Sequence, residues 1–132
     1  MKDDVRKAYE HAIKARENSH SPYSKFKVGA CFKVKGEDHY YAGTNMENAS
    51  YPVGVCAERT ALGSAITGGK KKFEFAVIVT DQKNFTAPCG MCRQTMAEFC
   101  DQDMPVHLAN MDGEVQTYFL KELLPHSFTS FE

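Results

Sequence analysis

The sequence predicts a three-layer α/β/α fold around a mixed five-stranded sheet, formed as one domain over residues 1–132. Three observations carry this. An opening pair of alternating segments is joined by a turn, the run Phe73 to Thr80 is almost continuously apolar, and helical and extended patterns alternate after the hairpin. At this length a chain buries about two-thirds of its unfolded surface and folds without disulfide staples.

Asp3 to Asn18 places Val5, Ala8, Tyr9, Ala12, Ile13 and Ala15 at helical spacing among charged residues, with Asp3 and Asp4 placed to cap its start. After the break at Ser19–Ser24, Val28, Ala30, Phe32 and Val34 alternate with Lys27, Gly29, Cys31 and Lys33, which predicts a half-buried strand with Cys31 off the apolar face. Lys35–Asp38 turns the chain into a second strand, His39 to Thr44. A helix from Cys56 to Thr67 is stopped by Gly68 and Gly69, and the apolar run from Phe73 reads as a strand buried on both faces. A second such helix, Cys89 to Cys100, follows Pro88; strands Val106–Asn110 and Glu114–Phe119 flank an Asp112-Gly113 turn, and Leu120–Leu124 adds a helical turn.

The 16 Lys and Arg against 17 Asp and Glu leave a net charge of −1, which lacks the basic excess needed to hold a phosphate backbone. A nucleic-acid partner is therefore not expected. The charged amino terminus and the lack of a long apolar window predict no membrane association and a cytoplasmic location. Five cysteines cannot all pair with one another, so free or metal-bound thiols are expected.

Pro88-Cys89-Gly90-Met91-Cys92 begins a predicted helix, where residues three apart share a face and the helix amino end favours thiolates. Taken alone this C-x-x-C fits a metal site, a redox pair or two packed thiols. Cys56-Ala57-Glu58-Arg59 opens the other helix. Cys56 would be a third thiolate only if it occupies the extreme first turn; otherwise it is a small buried hydrophobe and Glu58 a carboxylate favoured by the helix dipole. Together the two segments match the three-cysteine form of the signature of zinc nucleobase deaminases.

The chain resembles the homotetrameric cytidine deaminases through Phe26-Lys-Val-Gly-Ala30, Asn45-Met-Glu-Asn-Ala-Ser-Tyr51, Val55-Cys-Ala-Glu-Arg-Thr-Ala61, Pro88-Cys-Gly-Met-Cys-Arg-Gln94 and Leu123-Leu-Pro125. The resemblance implies one Zn²⁺ per subunit on Cys56, Cys89 and Cys92, with Glu58 as the proton-shuttling carboxylate. It implies Arg59 as the cation that offsets the excess charge of three thiolates, with Arg93 as a second possibility. Asn45 and Glu47 would bind ribose hydroxyls; Phe26 and Ala57 would line the pocket; Tyr51 and Phe128 would reach a neighbouring subunit's site. The implied activity is deamination of cytidine and deoxycytidine in pyrimidine salvage, with an aminopyrimidine deaminase of blasticidin type or a structural zinc module as alternatives. Pro52 and Lys27 depart from residues common in that family. Cys31 and Cys100 read as free thiols, the latter eight residues or about 12 Å along a helix from Cys92. The histidines His11, His20, His39, His107 and His126 lack ligand spacing and read as surface or packing residues.

Overall fold

The computed structural model describes residues 1–129. The elements are α1 (Asp3–Arg16), β1 (Val28–Val34), β2 (Tyr40–Thr44), a single 3-10 turn (Tyr51–Val53), α2 (Ala57–Thr67), β3 (Phe73–Thr80), α3 (Gly90–Phe99), β4 (Pro105–Ala109), β5 (Val115–Phe119) and α4 (Leu120–Leu123). The five strands form one sheet in the order β2-β1-β3-β4-β5. β1 runs antiparallel to both β2 and β3, β3 is parallel to β4, and β4 is antiparallel to β5, so the sheet is mixed as expected.

Helices cover both faces. On one side Val5, Ala8, Tyr9 and Ala12 of α1 pack on Cys31, Phe75, Val77, Val79 and Ala109. On the other, α2, α3 and α4 bring Ala61, Leu62, Met96 and Leu123 against Ala30, Phe32, Ile78 and Leu108. β3 lies between these layers, and the apolar side chains of both its faces are removed from water, which accounts for its unbroken apolar run.

β1 departs from the half-buried strand its alternation predicts. Cys31 is fully buried, because α1 covers the face to which it points. The close approach of that helix requires Gly29: a Cβ there would overlap the carbonyl of Ala12. Gly43 of β2 plays the same part for the opposite layer, where a Cβ would sit 2.8 Å from Ala57 O and 2.9 Å from Ala61 Cα. Two glycines thus set the distance of α1 and of α2 from the sheet.

Helix ends differ in detail from the sequence reading. The residue preceding α1 is Lys2, and Asp3 and Asp4 lie inside the first turn, where Asp4 Oδ1 accepts a bond from Val5 N at 2.8 Å. They favour the helix through its dipole and do not cap it from outside. The helical pattern ends at Arg16, and Asn18 and Ser19 tighten onto the carbonyls of Ala15 and Arg16. Gly36, Gly69 and Gly113 take positive φ at the turns after β1, α2 and β4. Among the described residues no helix is long and apolar enough to cross a membrane.

Candidate active site

α2 and α3 both begin at the same edge of the molecule, and each is entered through a cysteine. Cys56 immediately precedes Ala57 and Cys89 immediately precedes Gly90, both in extended backbone, while Cys92 falls in the first turn of α3. Cys56 therefore has the extreme position that a third thiolate requires. The sulfurs of Cys56 and Cys89 are 3.8 Å apart, those of Cys89 and Cys92 3.4 Å apart, and all three lie within 4.8 Å of one another. Tetrahedral Zn–S bonds of about 2.3 Å place sulfurs roughly 3.8 Å apart, so the set fits a single zinc ion. Among the described residues no further His, Cys, Asp or Glu joins this group, as a closed structural site would require.

Electrostatics at the cluster follow from three sulfurs sharing a small space. Hydrogen bonding from Cys92, together with Cys89 and Arg59, outweighs partial burial and brings the Cys56 thiol down to about 5. Cys92 shifts upward because of its bond with Cys56, its burial and the nearby Glu58 carboxylate. One thiolate of the pair is thus favoured at the expense of the other, and a dication is what would let all three ionise. Cys31 and Cys100 lie apart in the two cores, and burial raises each thiol to about 12.

Arg59 lies beside Cys56 and Cys92. Burial disfavours its charge, but a hydrogen bond with Cys56 and the charges of Cys56 and Cys92 reverse the balance and raise its pKa. Its Nη2 donates to Gly54 O at 3.2 Å, and its buried Nε has no partner among the described residues. Arg93, the second possibility, is occupied elsewhere: Nε donates to Pro88 O at 2.7 Å and Nη1 to Leu123 O at 2.6 Å. It ties the entry of α3 to α4, which is a structural use of the Leu123-Leu-Pro125 segment.

Glu58 is the second residue of α2 and only 4 % exposed. Burial raises its carboxyl above the ordinary range, and the Cys56 charge adds to this. It borders a cleft of about 440 Å³ that also takes in Cys56, Cys89, Ala57 and Arg59 together with Phe26, Asn45, Glu47 and Tyr51. The residues expected from sequence are thus brought to one cavity, with the exception of Cys92, which is fully buried, and of Phe128. That residue is exposed and outside the cleft of its own chain; its carbonyl accepts a bond from Gln94 Nε2 of α3 at 2.6 Å.

Asn45 and Glu47 are held by bonds that sequence reading did not anticipate. Asn45 Oδ1 accepts from Ser19 Oγ at 2.6 Å and Val28 N at 3.0 Å, and Nδ2 donates to Phe26 O at 2.7 Å. Glu47 Oε1 accepts from Tyr23 N at 3.0 Å and Ser24 N at 3.1 Å, and Oε2 from the Ser24 hydroxyl. The Ser24 hydroxyl is the main cause of a lowered Glu47 pKa. The signal available in sequence was the dense run of hydroxyls in Ser19–Ser24. Tyr51 is largely exposed and meets Tyr23 edge to face at 6.3 Å between ring centres. The cleft also includes Val28, Ile78, Thr80 and Met91, to none of which the sequence reading gave a site role.

Residues 2–108 match the model of the cytidine and deoxycytidylate deaminase zinc-binding region. A cytidine deaminase of Sporosarcina psychrophila is 41% identical over 126 residues, covering 96% of this chain and 92% of its own. One of Halalkalibacterium halodurans is 45% identical over 119 residues, 90% of this chain and 89% of its own. Among solved structures, the cytidine deaminase of Burkholderia pseudomallei superposes with a TM-score of 0.88 at 41% identity, over 93% of this chain and 98% of that one. That of Mycobacterium tuberculosis gives 0.82 at 28% identity, over 96% and 98%. With matching sequence over nearly its whole length, a matching fold and three sulfurs spaced for zinc, the chain belongs to the cytidine and deoxycytidylate deaminase family.

Proposed function

We propose that the protein hydrolyses cytidine and deoxycytidine to uridine and deoxyuridine with release of ammonia. The observation that carries the reading is the position of Glu58, a buried carboxyl next to the three-cysteine cluster on the wall of a nucleoside-sized cleft. Zinc held by Cys56, Cys89 and Cys92 supplies the Lewis acidity that makes water a nucleophile near neutral pH. Glu58 takes one proton from the attacking water and delivers it to N3 of the ring as the oxygen adds to C4. It then carries the second proton to the 4-amino nitrogen, the C4–N bond breaks, and C4 is left as a carbonyl.

Asn45 and Glu47 are the groups for the ribose hydroxyls, Phe26 packs against the ligand, and Ala57 borders it at the start of α2. Glu47, an anion with a depressed pKa, favours a nucleoside over a nucleotide. Exposed Met46, Tyr51, Val53 and Met91 crowd the cleft and its entry loop, and Phe128 is exposed as well, which supports a homotetramer in which Tyr51 and Phe128 complete a neighbour's site. The five free thiols support a reducing, cytoplasmic setting, where the reaction serves pyrimidine salvage.

The deciding experiment follows cytidine absorbance with the zinc-loaded protein and its Glu58→Gln variant. Conversion that falls by a factor of about 10²–10⁴ in a variant that keeps its zinc is the expected result. Equal turnover by both proteins would remove Glu58 from the chemistry, and no conversion by folded, zinc-loaded wild type would overturn the activity itself.

A further inference from the structure

Thr80 is the last residue of β3 and the one polar side chain that strand buries, at 2 % exposed, on the wall of the cleft. It shares a strand face with Ile78, two residues earlier, which also lines the cleft. A valine would fill the same volume, so packing alone does not call for a hydroxyl. The hydroxyl oxygen accepts one long bond, from Gln82 N at 3.4 Å, and among the described residues its proton has no acceptor. A buried donor left unpaired is costly, and one that borders a cavity is satisfied by what enters the cavity.

The position of Thr80 selects the ligand atom. Across the β1–β3 ladder Thr80 is paired with Val28, whose N–H holds Asn45 Oδ1 at 3.0 Å. Thr80 therefore stands one strand from the backbone group that holds Asn45, a residue assigned to ribose. A cytosine base offers two acceptors in its ring plane. N3 receives the proton that Glu58 delivers; the other, the 2-carbonyl oxygen, adjoins the ring nitrogen that bears the sugar. We infer that the Thr80 hydroxyl donates a hydrogen bond to the 2-carbonyl oxygen of the pyrimidine and so helps set which nucleobases the cleft accepts. The assignment rests on the deaminase reading of the cleft. It makes Thr80 a binding group whose bond is the same before and after C4 changes, so it acts on affinity and not on the chemical step.

The test measures affinity apart from turnover. Cytidine and 2-thiocytidine, whose sulfur is a weak acceptor, are titrated by calorimetry into zinc-loaded Glu58→Gln protein, with and without Thr80→Val and Thr80→Ser. Thr80→Val should weaken cytidine binding about fivefold, Thr80→Ser should restore it, and the preference for cytidine over 2-thiocytidine should shrink in Thr80→Val. Unchanged cytidine affinity in Thr80→Val overturns the inference. So does weaker binding with an undiminished preference, accompanied by a lower melting temperature, which marks Thr80 as a strand-end bond to Gln82 only. Failure of wild-type protein to convert cytidine overturns the deaminase reading through its own assay, while the titrations still score Thr80; absence of cytidine binding in every protein overturns both.

Discussion

Cys56 and Cys89 lead into two different helices, and their sulfurs are 3.8 Å apart. The amino ends of α2 and α3 thus converge on one point, and two helix dipoles add to the pull of a cation on the thiolates. Removing the metal should release this arrangement in a defined order. In a thiol-reagent titration, the zinc-loaded protein should show little reaction. Chelator-treated protein should expose the three thiols of the cluster, and Cys31 and Cys100, buried and shifted to about 12, should react only on unfolding. Rapid reaction of five thiols before unfolding would contradict the placement of these two in the cores.

Gly43 provides a test of how α2 is held. A methyl group there would overlap backbone atoms of Ala57 and Ala61, which have no rotamer with which to yield. Gly43→Ala should cost about 1–3 kcal/mol and displace the helix that carries Glu58 and is entered through Cys56. Turnover should fall together with the urea midpoint. Loss of stability with full turnover would show that the site tolerates movement of α2.

Arg59→Ala should weaken zinc retention, since three thiolates would then share one dication without the guanidinium charge beside Cys56 and Cys92. Competition against a chromogenic chelator reads the change, about tenfold in affinity as for other groups that support metal ligands. Arg93→Ala should leave retention closer to wild type and lower thermal stability, because Arg93 bonds Pro88 O and Leu123 O.

His107 makes part of the stability depend on pH. It lies on β4 with Nδ1 2.8 Å from Thr117 Oγ1 and its ring edge to face with Phe75. Burial lowers its pKa below 6.5, and Asp4 offsets this only in part. The unfolded chain therefore binds this proton more tightly than the folded one. The associated stability is present above the unfolded value of about 6.5 and is lost as pH falls through the folded one, at no more than about 1.4 kcal/mol per pH unit. Urea midpoints for wild type and His107→Gln across this range should differ in slope, flatter for the variant; parallel slopes would exclude His107.

Much of this architecture was legible in the chain, and what was not has local physical reasons. The apolar run at Phe73–Thr80 announced a central strand because burial on two faces leaves no room for alternation. Cys31 misled because alternation reports one covered face and is silent on a second, which α1 supplies over Gly29. At the site, C-A-E and P-C-x-x-C revealed the sulfurs, since ligand spacing near a helix end is a local property. The holding of Asn45 by Ser19 and Val28, and of Glu47 by Tyr23 and Ser24, joins segments some twenty residues apart and has no local pattern.

Those same bonds bear on how the cleft meets its ligand. Asn45 is fastened on both ends of its amide before anything binds, so its side chain has little rotational freedom left to surrender and one N–H still to offer. A ligand that meets Asn45, as proposed, would meet a rigid group whose entropic cost has been met during folding. The consequence is a division of labour for anyone redesigning the cleft: altering position 45 would loosen the chain at Ser19, Phe26 and Val28 together, whereas Thr80, with one long bond to the protein, is the place where ligand preference can be changed at small structural cost.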